Sequence, residues 1–307
     1  MKKLIFLMAA ILAIFAAGCN NIDLQEQEVG LSGEELTIAE DEVFTIKSTE
    51  STESDIDAAN HAAGSFKGGM GVGGAHHFLG DRFPDCATVT VSGNTFPKEI
   101  VIDYGEGCSG RQGMGRTGTV TILMSDTITV AGAMYTVTFE GVTVGNRLIE
   151  KKSTKTNEGV NENGNWVISY ETEMTTTKET GKNIMVATRE FSGQKEWLSG
   201  FETPEIDDDQ FRKSGGGTIT VNDTLSFERE ITEPLFIDRT CRYPMSGVVE
   251  ITRNGEMMTI NYGDGECDNI ALVTKEGIEE EIELEGCEFK KEFQRKNKHM
   301  KKKKGWW

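Results

Sequence analysis

Positive charge is scarce in this chain: 32 Lys and Arg stand against 50 Asp and Glu, a formal net charge of -18. A surface of that sign repels phosphates, so nucleic acid is excluded as a partner over most of the molecule. Histidine is scarcer, with only His61, His76, His77 and His299, which leaves few ways to build a Ser-His-Asp or Cys-His site. Long apolar runs are missing too. The longest, Leu4 to Ala17, has 14 residues, short of the roughly 20 that a membrane-spanning helix needs. With 5 Pro and 35 Gly the chain is neither low-complexity nor collagen-like, and 37% hydrophobic residues suffice for a core.

That short apolar run is itself a signal. Lys2 and Lys3 precede it and Ala16-Ala17-Gly18-Cys19 closes it, which reads as a signal peptide over residues 1–18. The closing tetrad resembles the lipobox of bacterial lipoproteins, which makes Cys19 the first mature residue and the site of diacylglycerol and palmitate attachment. Several acyl chains on one residue anchor durably. Asn20, Asn21, Asp23, Glu26 and Glu28 follow as a polar, acidic leader that resembles the export signals of Bacteroidetes surface lipoproteins, although those place the acids nearer the cysteine. Residues 19–80 read as an acidic tether and Gly-rich linker, with one short helix after Ser32. Ser32 and Glu35 fit a capping box there, and Leu36, Ala39, Val43 and Phe44 form a ragged apolar stripe. Gly69-Met70-Gly71-Val72-Gly73-Gly74 matches a dinucleotide fingerprint by letter but lacks the strand before it and the helix after it, so it is read as linker. His76 and His77 are adjacent and point to opposite faces of any strand, a poor arrangement for chelating one ion.

From Cys86 the grammar changes to short alternating runs of Val, Ile, Thr, Phe and Tyr broken by Gly and Asn. Residues 81–287 are therefore expected to be an all-β domain of antiparallel hairpins, a sandwich, a barrel or an extended meander. A partial repeat suggests two related halves, about 81–160 and 215–287. Ile102-Asp103-Tyr104-Gly105-Glu106-Gly107-Cys108 returns as Ile260-Asn261-Tyr262-Gly263-Asp264-Gly265-Glu266-Cys267. An earlier cysteine precedes each copy, Cys86 or Cys241. Turn-like residues Ser92-Gly93-Asn94 lie near the midpoint of the first pair, and Asn254-Gly255, a strong hairpin signal, lies near that of the second. Disulfides Cys86–Cys108 and Cys241–Cys267 follow, the second helped by a bulge near Gly265, and export places them where such bonds persist. Cys287 is left over as a buried thiol.

The cysteine blocks carry a resemblance. Cys86-Ala-Thr-Val-Thr-Val, Phe96 to Cys108, Gly115-Arg116-Thr117-Gly118, Cys241 to Gly247 and Tyr262 to Asn269 resemble an uncharacterised group of Bacteroidetes lipoproteins. The resemblance spans about Cys86 to Leu284 and implies an envelope location and a β fold, with no activity to transfer. It departs at Glu150 to Thr156, where the group's hairpin glycine is missing.

Acidic loops are the candidates for chemistry. Asp264, Glu266, Asp268 and Asn269 place four oxygen-bearing side chains around two glycines, as a calcium site requires, and Asp207-Asp208-Asp209 is a second cluster. Trp166, Tyr170, Phe191 and Trp197 would stack on sugars if exposed. A glycan hydrolase needs two opposed carboxylates, and no pair stands out among so many acids. The C-terminal segment 288–307 reverses the charge, with nine Lys/Arg against two Glu, leaving residues 20–287 with 21 basic against 48 acidic residues, or -27. Lys301, Lys302, Lys303, Lys304, Trp306 and Trp307 suit contact with anionic headgroups. The sequence thus points to an outer-membrane lipoprotein, periplasmic or surface-exposed, acting as a non-enzymatic binding or structural module toward a glycan or protein. The alternatives are a glycan-active hydrolase and a calcium-stabilised adhesin, and beyond calcium no cofactor is implied.

Overall fold

A computed structural model describes residues 31–65, 86–109, 114–180, 183–203 and 205–284. Alternation along the chain becomes strands wherever it was read. In order these are β1 (Thr88–Ser92), β2 (Lys98–Asp103), β3 (Cys108–Ser109), β4 (Gly115–Met124), β5 (Met134–Val144), β6 (Arg147–Val160) and β7 (Trp166–Thr180). Then come β8 (Asn183–Ser199), β9 (Gln210–Val221), β10 (Leu225–Asp238), β11 (Ser246–Arg253), β12 (Glu256–Asp264), β13 (Ile270–Lys275) and β14 (Ile278–Glu283). They form one antiparallel sheet in the order β1-β2-β4-β5 and so on to β14, with β3 paired to β4 beside that path. The fold is an all-β meander. Among the described residues β1 and β14 are not paired, so the sheet is not closed into a barrel. The two repeat-bearing halves belong to this single sheet and are joined through β7 and β8, its longest hairpin.

Local chemistry explains the hairpins. Asn254 and Gly255 adopt φ 53° and 85° between the paired Arg253 and Glu256, the primed two-residue turn that their sequence favours. Pro234 falls where the register of β10 against both neighbours shifts, a place in a strand that tolerates a missing N–H. Gly118, at φ 83°, sits in the bulge of β4 against β5, where a Cβ would collide with the backbone of Gly141. The Glu150–Thr156 segment lies inside β6 and forms no hairpin, so its lack of glycine has no turn to disturb.

Both expected cysteine pairs lie at disulfide distance, with Cα–Cα separations of 5.4 Å for Cys86–Cys108 and 5.7 Å for Cys241–Cys267. Their route differs from the one that counting suggested. The β11–β12 bulge falls at Tyr262-Gly263, not near Gly265, and Cys241 and Cys267 both lie in loops outside the ladder. Cys287 lies outside the described residues.

The larger departure precedes the sheet. Residues Gly33–Ser65, read as tether with a short helix, form one 33-residue helix, α1. Its start is the expected capping box: Glu35 Oε2 accepts from Ser32 N–H at 2.7 Å while Ser32 Oγ accepts from Glu35 N–H at 3.4 Å. Beyond its first turns the helix is buried on every side, and Thr52, Asp55, Ile56 and Asn60 have no exposed surface at all. Ile38, Ala39, Val43 and Ile46 pack with β8–β14 in one apolar cluster; Ile56, Ala58, Ala59, Ala62 and Ala63 pack chiefly with β1–β9 in another. Between them lies Lys47-Ser-Thr-Glu-Ser-Thr-Glu-Ser-Asp55, a stretch without a single large apolar side chain.

Candidate functional site

A polar helix can be buried only if its surroundings satisfy it. The surroundings here are cations set among apolar residues on the inner face of the sheet. Along β6 that face reads Arg147, Ile149, Lys151, Ser153, Lys155 and Asn157, every second residue and all buried. Arg116 on β4, Arg189 and Lys195 on β8, Lys213 on β9, Arg229 on β10 and Arg239 beyond it continue the band.

Each cation meets an acid of α1. Arg147 and Arg189 both contact Asp41, Arg229 contacts Glu42 at 2.8 Å, and Lys213 contacts Glu50. Glu53 takes Lys155 and, at 2.8 Å, Lys151; Asp55 takes Arg116; Asp57 takes Lys195 at 2.9 Å and Arg239 at 2.7 Å. Nine cations thus share six carboxylates. Backbone carbonyls of the helix are held too: Lys98 Nζ donates to Ala63 O at 2.6 Å at its C-terminal end, and Arg239 to Glu50 O at 2.9 Å. Lys47 of the helix donates in the other direction, to Leu284 O after β14 at 3.1 Å.

Titration reflects this crowding. Burial raises Glu53, but Lys151 and Lys155 outweigh it and hold the carboxyl well below its usual range. Glu50 and Asp57 are lowered in the same way, the first against burial by Lys213 and Arg239, the second by Lys195 and Arg239. Burial brings Lys195 down to about 8 against the pull of Asp57, and it lowers Lys151 against Glu53. Asp209, buried beside this group, is pushed up to about 8 by burial and by the charge of Asp57.

The internal repeat acquires a meaning here. Tyr104 of the first copy donates its hydroxyl to Asp55 at 2.8 Å, beside Arg116. Tyr262 of the second copy is equally buried and feels the charges of Glu42 and Arg229. Each copy sends a tyrosine toward an acid and an arginine at a different level of the helix.

Between α1 and β5–β10 lies a cavity of about 90 Å³. Glu42, Glu50 and Glu53 line it from the helix, facing Lys151, Lys155, Lys195, Lys213 and Arg229, with Tyr135, Ile168, Tyr170, Met174 and Phe191 among its other walls. On the outer face of β6–β9 a shallow groove of about 420 Å³, which shares Thr172 and Phe191 with the cavity, is bordered by Lys152, Thr154, Glu171, Glu173, Glu190 and Ser192 over Gly216 and Gly217.

The residues singled out by sequence fare differently. In the loop of Asp264, Glu266, Asp268 and Asn269, Asp268 Oδ1 accepts from Ile270 N–H at 3.0 Å, a turn contact. Among the described residues no group of three or more His, Cys, Asp or Glu is arranged to hold a metal ion. Of the Asp207–Asp209 run, Asp209 is buried and Asp208 accepts from the Thr203 hydroxyl at 2.9 Å. Of the aromatics, Trp197 is buried and Trp166 packs beside it, with Phe201 4.9 Å from Trp166 and 5.4 Å from Trp197, while Tyr170 and Phe191 are part-exposed at the cavity and Arg229 lies over Phe191 at 4.9 Å. Cys19, His76, His77, Lys301, Lys302, Lys303, Lys304, Trp306 and Trp307 lie outside the described residues.

The class is therefore an open antiparallel meander wound on a polar helix through buried ion pairs. Comparison with protein-family models, with curated proteins and with solved structures finds no match for it. The cations Arg147, Lys151, Lys155, Arg189 and Lys195 escaped the reading of the sequence, although a signal was present. They occupy the same alternate positions as the apolar residues of their strands, where exposed charges do not belong.

Proposed function

We propose that this protein is a lipid-anchored, non-enzymatic module of the outer envelope, tethered through acylated Cys19 and binding a polymer or a protein partner. The observation that supports a binding module is the occupation of the sheet's inner face by α1, whose acids are ion-paired with the cations of the strands. The surface left for a macromolecular partner is the outer face, where Glu171, Glu173 and Glu190 border the groove over Gly216 and Gly217, and where Glu228, Glu230 and Glu233 of β10 are exposed. A hydrolase would need two opposed carboxylates free of other charges, and each of these helix acids is ion-paired with a cation of the sheet.

Two readouts test this. Labelled palmitate should enter the parent and not Cys19→Ser, which should also leave the outer-membrane fraction; label retained in Cys19→Ser would remove the anchor. Incubation with envelope and dietary glycans should yield retention on one class without new reducing ends. Release of reducing ends would replace the module with the hydrolase.

A further inference from the structure

The cavity between α1 and the sheet is unbalanced in two respects. It is lined by five cations and only three carboxylates, and adding the Asp57–Arg239 contact that shares Lys195 leaves the same excess. A buried excess of positive charge is unfavourable unless an anion meets it. Hydrogen bonding is unbalanced as well. Oε2 of Glu42 and Oε2 of Glu50 are buried without a donor, while Lys151, Lys155 and Lys213 each direct one contact to a carboxylate out of the three donors an ammonium carries. Water would supply the missing hydrogen bonds but no charge. A matching occupant carries an anionic group for the lysines and hydroxyl or amino hydrogens for the two glutamates.

Size and access narrow the class. At about 15 Å³ of such space per water, 90 Å³ corresponds to roughly six waters, the volume of a six-carbon molecule. Among the lining residues only Thr49, Tyr170, Thr172, Phe191 and Lys213 are part-exposed, and they mark the mouth. Two of them are aromatic and suit the face of a sugar ring. We infer that this cavity is a binding site for a small hydroxylated carboxylic acid of hexuronic-acid size. The acid group meets the lysines, and hydroxyls donate to Glu42 and Glu50. This rests on the reading of the protein as a binding module and names a ligand for its interior.

The test is calorimetric titration of the full-length protein in detergent with galacturonate, against galactose and against sulfate at equal ionic strength. Product analysis follows on the same samples. Saturable one-to-one binding of galacturonate, with a raised melting temperature and no comparable effect of galactose or sulfate, supports the site. Thr49→Trp, which fills the mouth without removing an ion pair, should weaken that binding at least tenfold while leaving the circular dichroism unchanged. Should that variant not fold, saturation-transfer NMR on the parent with galacturonate and galactose decides instead, and only the acid should receive magnetisation. No saturable binding, an equal response to sulfate, or undiminished binding by folded Thr49→Trp overturns the inference and leaves the module reading untouched. Binding followed by chemical conversion of galacturonate keeps the site and overturns the non-enzymatic reading.

Discussion

Asp55 carries two contacts, the Arg116 guanidinium, which Ser51 O also accepts from at 2.6 Å, and the Tyr104 hydroxyl, all three side chains almost wholly buried. Removing one partner of such a group strands the other charge in a low-dielectric interior. Asp55→Ala should therefore lower unfolding free energy in urea by about 3 to 5 kcal/mol, and a loss under about 1 kcal/mol would mean that the pairing contributes little. Asp209 makes a second prediction through pH. Its folded carboxyl titrates near 8 against an ordinary 3.8, so across that interval the folded state holds a proton that the unfolded state has released. Stability contributed by this group thus falls as pH rises from about 4 to 8. Asp209→Asn should remove that fall, gaining on the parent by up to about 1.4 kcal/mol per pH unit in urea titrations; parallel pH profiles would contradict it. Little of this was legible in sequence. Asp55 and Asp209 look like any of 50 acids until the chain brings Arg116 or Asp57 beside them, and such long-range pairing leaves no local pattern.

Elements were legible in proportion to how local their causes are. Asn254-Gly255 declares its turn in two residues, and the strands declare themselves by alternation. The capping box announced the start of α1, but its length was hidden because a helix without an apolar stripe gives no periodic signal. From Lys47 to Asp55 the chain is rich in Ser and Thr, poor helix formers that nothing local compensates. It follows that a peptide of residues 31–65 should show little helix in water by circular dichroism. A strongly helical peptide would mean that the sheet does not impose the helix. The disulfides are a separate constraint, closing segments of 22 and 26 residues that hold the β1–β2 and β11–β12 hairpins. Chain-entropy arguments give each about 3.5 kcal/mol, so Cys241→Ala with Cys267→Ala should lower stability by about 2 to 4 kcal/mol in denaturant titrations. A change under 1 kcal/mol would leave that pair without a stabilising role.

At the scale of the molecule the charges are sorted. A chain of net charge -18 keeps a band of nine cations inside, shared among six helix carboxylates, and turns Glu-rich strand faces outward. The helix is thereby a part of the core. Composition declares an acidic chain and alternation foretold its β fold; neither could foretell that the acids of residues 41–57 face inward, because neither carries long-range geometry. The most direct test of this arrangement is native-state hydrogen exchange read by mass spectrometry across Thr45–Ala63. If the sheet is wound on the helix, those amides exchange as slowly as β6 and β8, at the rate of global unfolding. Exchange within seconds, as in a solvated tether, would contradict the account.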